Sequence, residues 1–224
     1  AMENVKVVVL GDAKVGKTSM VRRLVEDSFS QDYIPTTFDA YSTDFLVERK
    51  RVQLQLWDIG GIGCSTQSIP NLEIQTEAKK MLRGRIEATH AALQESLCLT
   101  KELAYTIAEY TVEHVKLREV VYPGTHVFVL CFSFADPTSL KNVEEHWYPE
   151  ISKACPNVPT VLIGLCPELA SAEGKRVMSS LAENRVAKAI GAKAFFTVAA
   201  LTSEQWDIAE TFKRVYGHAA KLSR

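Results

Sequence analysis

Eight consecutive residues carry the strongest chemical signal in the chain: Gly11-Asp12-Ala13-Lys14-Val15-Gly16-Lys17-Thr18. Two glycines separated by four residues and followed by Lys-Thr let a backbone curl round an anion with no Cβ in the way. The N–H groups of such a loop, and of the helix it opens into, point at the anion, and the helix dipole favours negative charge there. The set suits a phosphate. Ala13, Lys14, Val15 and Gly16 form the cradle, Lys17 brings a point charge to the outer phosphates, and Thr18 offers a hydroxyl to Mg²⁺. A glycine-bounded turn that binds nothing is the alternative. The match at every fixed position and on both flanks argues against it.

A loop of this kind needs a strand before it and a helix after it. Val5-Lys6-Val7-Val8-Val9-Leu10 supplies the first and Ser19-Met20-Val21-Arg22-Arg23-Leu24-Val25 the second. Pro35 makes the following 34–41 segment a loop or extended chain. Residues 41–51 and 52–57 read as a strand hairpin with a polar centre, Glu48-Arg49-Lys50-Arg51. The second strand ends at Asp58-Ile59-Gly60-Gly61, and an aspartate there is where a phosphate-loop protein places a carboxylate on the Mg²⁺ side. Further elements follow: strands over 125–134, 158–165 and 193–198, and helices over 139–154, 177–190 and 203–221. Pro137 lies near the start of the first helix, and Gly191 closes the second as its C′ residue.

The chain has 224 residues, enough for one enlarged domain or a domain with a subdomain. Hydrophobic residues make up 46% and charged residues 24%, ordinary for a globular protein. The net charge of −1 gives no global field toward nucleic acid or an anionic membrane. Cys64, Cys98, Cys131, Cys155 and Cys166 show no zinc spacing and read as reduced thiols of a cytosolic protein. His90, His114, His126, His146 and His218 are scattered without metal spacing. No apolar run reaches the length of a membrane span, and no signal peptide is read. Ala1 before Met2 reads as a residue left by tag cleavage, and Lys221-Leu222-Ser223-Arg224 carries no prenylation box.

The phosphate loop, Tyr33-Ile34-Pro35-Thr36, Phe38-Asp39 and Trp57-Asp58 resemble the small GTPases, the Rho/Rac branch in particular. Val127-Phe128-Val129-Leu130-Cys131-Phe132-Ser133, Trp147-Tyr148-Pro149-Glu150-Ile151 and Cys155-Pro156-Asn157 are similar to Rho proteins as well. The resemblance covers about residues 4–61 and 115–216. It implies an α/β fold with a six-stranded, mostly parallel sheet flanked by helices. It implies GTP or GDP with Mg²⁺ as ligands, protein effectors and regulators as partners, and a cytoplasmic location, peripheral to a membrane through partners. By the same resemblance Thr18, Thr36 and Asp58 hold the metal, and Gly61 joins the phosphate site. Phe29 packs on the base, and Thr36, Thr37, Phe38, Asp39 and Tyr41 form the effector-reading segment.

Residues 62–114 depart from that pattern and read as a helical insertion within a Rho-like domain spanning 4–224. The run has Pro70 near its start and then only one glycine, Gly84. Ala78, Leu82, Ile86, Leu93, Leu97, Ala104, Ile107 and Val115 recur at helical spacing. A single helix would extend about 75 Å, so a hairpin is expected. Asn71 would cap its first helix, and the break falls at 97–102 with Thr100 as cap, or alternatively at Gly84. Such a pair would expose apolar surface for partners or self-association. The extra helix that Rho proteins carry after the position of Leu169 is missing or shortened.

The base-reading motifs are altered. A small GTPase reads guanine with Asn/Thr-Lys-x-Asp, and the aligned stretch here is Leu165-Cys166-Pro167-Glu168. Cys166 replaces the lysine whose stem lies along the base. Glu168 keeps the charge of the aspartate on a side chain one methylene longer. Losing a buried, charged hydrogen-bonding partner costs about 2–5 kcal/mol. The second base motif is Ala199-Ala200-Leu201, with a backbone donor left but no serine hydroxyl. Hydrolysis is affected too. Ile62 stands where the water-orienting glutamine should follow Gly61, and an isoleucine cannot polarise a water. Ala13 places a Cβ where most small GTPases have glycine, crowding the γ-phosphate and the path of an arginine finger. The expectation is an atypical GTP-binding signalling protein with slow or absent hydrolysis. The alternatives are a pseudoGTPase scaffold acting through the insertion, or a working GTPase whose insertion supplies a group such as Arg83 or Arg85.

Overall fold

The structure is a computed structural model that describes residues 3–29, 36, 38–60, 118, 120–165 and 180–219. The helical insertion expected over 62–114 lies outside the described residues, as do Thr37, Gly61, Cys166 and Glu168.

One six-stranded sheet organises the described chain, in the order β2-β3-β1-β4-β5-β6. Its strands are β1 (Glu3–Gly11), β2 (Phe38–Val47), β3 (Lys50–Ile59), β4 (Val127–Ser133), β5 (Thr160–Leu165) and β6 (Phe195–Val198). Every neighbour pair is parallel except β2 with β3, the hairpin anticipated from the alternating pattern. The central strands β1, β4 and β5 are buried along almost their whole length. They therefore read as continuous runs of Val, Leu, Ile and Phe, because both faces are covered. β2 is an edge strand and alternates.

Two cores result, one on each face. Val7 and Val9 of β1 point to the side covered by α1 (Lys17–Glu26) and the terminal helix α5 (Gln205–Ala219), where Met20, Leu24, Phe212 and Val215 are buried. Val8 and Leu10 point to the other side, against Leu140, Val143, Trp147 and Ile151 of a long helical run and Val186 and Ile190 near α4 (Ser180–Ala189). At about 25 cal/mol per Å² of apolar surface, these two interfaces are the main stabilising term.

The long run differs from the single α-helix expected over 139–154. It starts at Pro137 behind an Asp136 cap as α2 (Pro137–Asn142), widens into a π-turn over Val143–Trp147, and resumes as α3 (Tyr148–Ala154). The reason is Pro149, which has no N–H and whose ring presses on the preceding turn. Tyr148 N–H reaches back to Val143 O, and the wider turn makes room. The end of α4 follows the sequence reading. Gly191 sits at φ 61, its N–H bonds Lys188 O, and Ala192 N–H bonds Ala187 O, a Schellman closure. Among the described residues, no helix is long and apolar enough to cross a membrane.

Candidate phosphate and cation site

The phosphate loop forms between β1 and α1 because glycine is required at both of its ends. Gly11 has φ 145, and a Cβ on it would stand 2.2 Å from the carbonyl oxygen of Cys131 on β4. Gly16 has φ 102 and occupies the N-cap of α1. Lys14 at φ 64 completes the curl. Inside it, the buried Lys17 ammonium donates to Gly11 O at 2.8 Å and Asp12 O at 2.7 Å. These bonds hold the charge in the loop, with the α1 N-terminus beneath it. Positive charge and helix dipole converge on one anion-sized position.

Beside the loop, three residues from separate parts of the chain meet. Thr18, in the first turn of α1, donates its Oγ1 proton to Asp58 Oδ2 at 2.5 Å. Thr18 Oγ1 also lies 2.8 Å from Thr36 Oγ1. Asp58 is held there by β3, and its partner across the hairpin is Asp39. The Asp58 carboxylate is wholly buried, and its Oδ1 has no hydrogen-bond partner. Burial pushes its pKa up to about 6, with Lys17 and the Thr18 hydroxyl pulling the other way. A buried, half-satisfied carboxylate beside two hydroxyls fits a hard divalent cation, which takes oxygen ligands and tolerates few of them from protein. Thr18, Thr36 and Asp58, the three residues expected at the metal, are thus brought together.

Of the residues that the resemblance assigns to effector reading, Phe38, Asp39 and Tyr41 lie at the start of β2. Phe38 packs edge-on against Trp57 at 5.2 Å between centroids. Tyr41 Oη donates to Asp39 Oδ2 at 3.3 Å and accepts from Arg22 Nε at 3.3 Å. Burial raises the Asp39 carboxyl, and pushes the Tyr41 hydroxyl up to about 12. Arg22, on α1, is a participant that no motif reveals.

Of the residues expected at the base, Phe29 is exposed, Ala200 is buried and Leu201 is exposed. Gln205 Nε2 donates to Leu24 O at 2.9 Å and Arg23 Nε to Ser203 O at 3.3 Å. These bonds tie the 199–205 turn to the end of α1 from which Phe29 follows.

The sequence reading also missed the partners of Asp12. Its Oδ2 accepts from Asn142 Nδ2 at 2.6 Å and its Oδ1 from the indole N–H of Trp147 at 2.8 Å. The available signal was a proline inside a helical run, two residues after a tryptophan.

A parallel sheet with a glycine-bounded loop at the end of β1, a buried lysine and a Thr-Thr-Asp cluster define a phosphate-loop nucleotide-binding α/β protein. The family model described as Ras family matches residues 6–68 and 111–221. The chain belongs to the Ras family, the small GTP-binding GTPases. The two matched segments leave 69–110 between them.

Proposed function

We propose that this chain is an atypical, Rho-like GTP-binding signalling protein that hydrolyses GTP slowly or not at all and acts through effector binding. The observation that carries the reading is the meeting of Thr18, Thr36 and Asp58 beside the Lys17 loop. Phosphate and Mg²⁺ binding draw on those side chains together with the backbone N–H groups of the loop. Mg²⁺ bound there by Thr18, Thr36 and Asp58 would neutralise phosphate charge. The chain's own residues cradle the phosphates from Ala13 to Thr18, with Gly61 on the γ side, and stack Phe29 on the base.

The Rho-like assignment rests on Tyr33-Ile34-Pro35-Thr36, Trp147-Tyr148-Pro149-Glu150-Ile151 and Cys155-Pro156-Asn157. Slow hydrolysis rests on Ile62 in place of the water-orienting glutamine and on the Ala13 methyl. Residues 62–114, most of which lie in the gap between the family-matched segments, supply an interaction element that replaces or extends the second switch. Effectors meet Thr36, Thr37, Phe38, Asp39 and Tyr41 on the edge strand.

A second reading is favoured by Cys166 and Glu168 at the base-reading positions. In it the protein is a pseudoGTPase scaffold whose insertion binds partners. Titration calorimetry of refolded, nucleotide-free protein with GDP, GTP and ATP in Mg²⁺ separates the two. Guanine-selective binding supports the switch. No binding of any nucleotide supports the scaffold.

A further inference from the structure

Asp12 is the first variable residue of the phosphate loop, yet both oxygens of its side chain are committed elsewhere. Asn142 and Trp147, on the opposite flank of the sheet from α1, donate to it at 2.6 and 2.8 Å. Trp147 is fully buried and ends the π-turn. The other side of its indole is also engaged. The Arg118 guanidinium carbon lies 5.0 Å from the ring centroid. Arg118 in turn donates to both carboxylate oxygens of Glu150, Nε at 2.7 Å and Nη2 at 2.8 Å. Tyr122 Oη donates to the same Glu150 at 2.5 Å. Asp12, Trp147, Arg118 and Glu150 thus form one chain of directional contacts. It runs from the phosphate loop to a carboxylate that solvent reaches, since 18% of the Glu150 side chain is exposed.

We propose that Trp147 is a positioning residue that couples nucleotide retention in the phosphate loop to the Arg118–Glu150 pair. The inference rests on the nucleotide-site reading above. Physically, the indole N–H fixes the Asp12 carboxylate, and Asp12 O is one of the two carbonyls that hold Lys17. A shift of Asp12 therefore displaces the charge that meets the phosphates. The guanidinium over the ring and its bidentate bond to Glu150 hold the indole in turn. An event that draws Glu150 away loosens Arg118, then Trp147, then the loop.

The test is a double-mutant cycle on the release of a fluorescent GDP analogue from the full chain. Trp147→Phe keeps an aromatic ring under Arg118 and removes the N–H. Glu150→Gln keeps the shape and removes the charge. We expect Trp147→Phe to speed release about tenfold, the scale of one hydrogen bond to a buried carboxylate. Glu150→Gln should speed it a few-fold. The double variant should fall short of the product of the two by at least about threefold, because both act through one side chain. A product within experimental error, or no change in either single variant, would overturn the coupling. If Trp147→Phe does not fold, Asp12→Asn paired with Glu150→Gln asks the same question across the indole.

A spectroscopic readout separates positioning from simple support of the fold. In a Trp57→Phe, Trp206→Phe background, tryptophan emission should change when nucleotide leaves, and that change should be lost when Trp147→Phe is added. Emission from that background that stays constant as nucleotide leaves would contradict the inference. A wild type that retains no nucleotide would refute the nucleotide-site reading and this inference together. Additive variants of a nucleotide-retaining wild type would refute the inference alone.

Discussion

Thr18 Oγ1 lies 2.5 Å from Asp58 Oδ2, which places a hydroxyl of α1 and a carboxylate of β3 on one point beside the phosphate loop. The two residues are forty positions apart, and the parallel pairing of β1 with β3 brings them together, with Val9 opposite Asp58. Thr36 completes the cluster from the chain that leads into β2.

Asp58→Asn should abolish the Mg²⁺ dependence of nucleotide retention. In the wild type, chelating Mg²⁺ should speed GDP release strongly. In the variant, release should be fast with or without the metal, about 10- to 100-fold above the Mg²⁺-bound wild type, as expected for a lost charged ligand. Stopped-flow release of a labelled nucleotide checks this. A variant that still responds to Mg²⁺ would remove Asp58 from the site.

Ile62→Gln should raise GTP hydrolysis. A positioned water contributes up to roughly 10²-fold, reduced here because the Ala13 methyl remains. The double change Ala13→Gly with Ile62→Gln should therefore exceed the single one. Single-turnover phosphate release measures both. Equal rates in all variants would mean that these positions do not limit hydrolysis.

Glu168→Asp should tighten guanine binding by about tenfold, since it restores the shorter carboxylate without altering charge. It should leave phosphate-only ligands such as pyrophosphate unchanged. Competition of GTP against ATP and pyrophosphate reads the difference. A uniform change across all three would assign the effect to something other than the base.

Gly11→Ala should lower stability by more than about 3 kcal/mol, if the protein folds at all. The new Cβ would stand 2.2 Å from the Cys131 carbonyl oxygen, and φ 145 is closed to alanine. Urea unfolding of the nucleotide-free protein gives the number. A cost under about 1 kcal/mol would contradict the close approach of β1 to β4.

Lys6 predicts a pH dependence. Its ammonium is buried, donates to Val121 O at 2.5 Å and Pro123 O at 2.9 Å, and lies 4.3 Å from the Trp57 ring centroid. Burial lowers its pKa from 10.5 to about 8. Between those values the unfolded chain holds the proton and the folded chain has lost it, so unfolding takes up a proton. Stability should therefore rise from pH 8 to about 10.5, by the order of 2–3 kcal/mol in this residue's contribution. The slope should vanish in Lys6→Met, measured by urea midpoints across that window. A slope shared by wild type and variant would belong to other groups.

The sequence made the frame readable for a physical reason. Short runs such as Val7-Val8-Val9-Leu10 and Phe128-Val129-Leu130-Cys131, rich in β-branched and aromatic residues, read as strands buried on both faces, and the glycines at 11 and 16 leave one kind of loop between strand and helix. Thr36 and Asp58 were reachable by resemblance, because each sits in a local motif. What local pattern does not encode are contacts made by single polar side chains far apart in sequence. Asp12 meets Asn142 and Trp147 across more than a hundred residues, and Arg22 meets Tyr41 from a helix face that reads as ordinary solvent exposure. The π-turn escaped for a similar reason, since 3.6-residue periodicity survives one widened turn. The terminal helix begins at Gln205 rather than at Ser203, because residues 199–205 form a turn tied to α1 through Ser203 O and Gln205 Nε2.

The most direct test of the account is to denature the purified protein and identify the released nucleotide by chromatography. The account predicts about one guanine nucleotide per chain, predominantly GTP, because the phosphate and cation groups are assembled while Ile62 replaces the water-orienting glutamine. Absence of nucleotide, together with failure of added GTP and Mg²⁺ to bind, would contradict it.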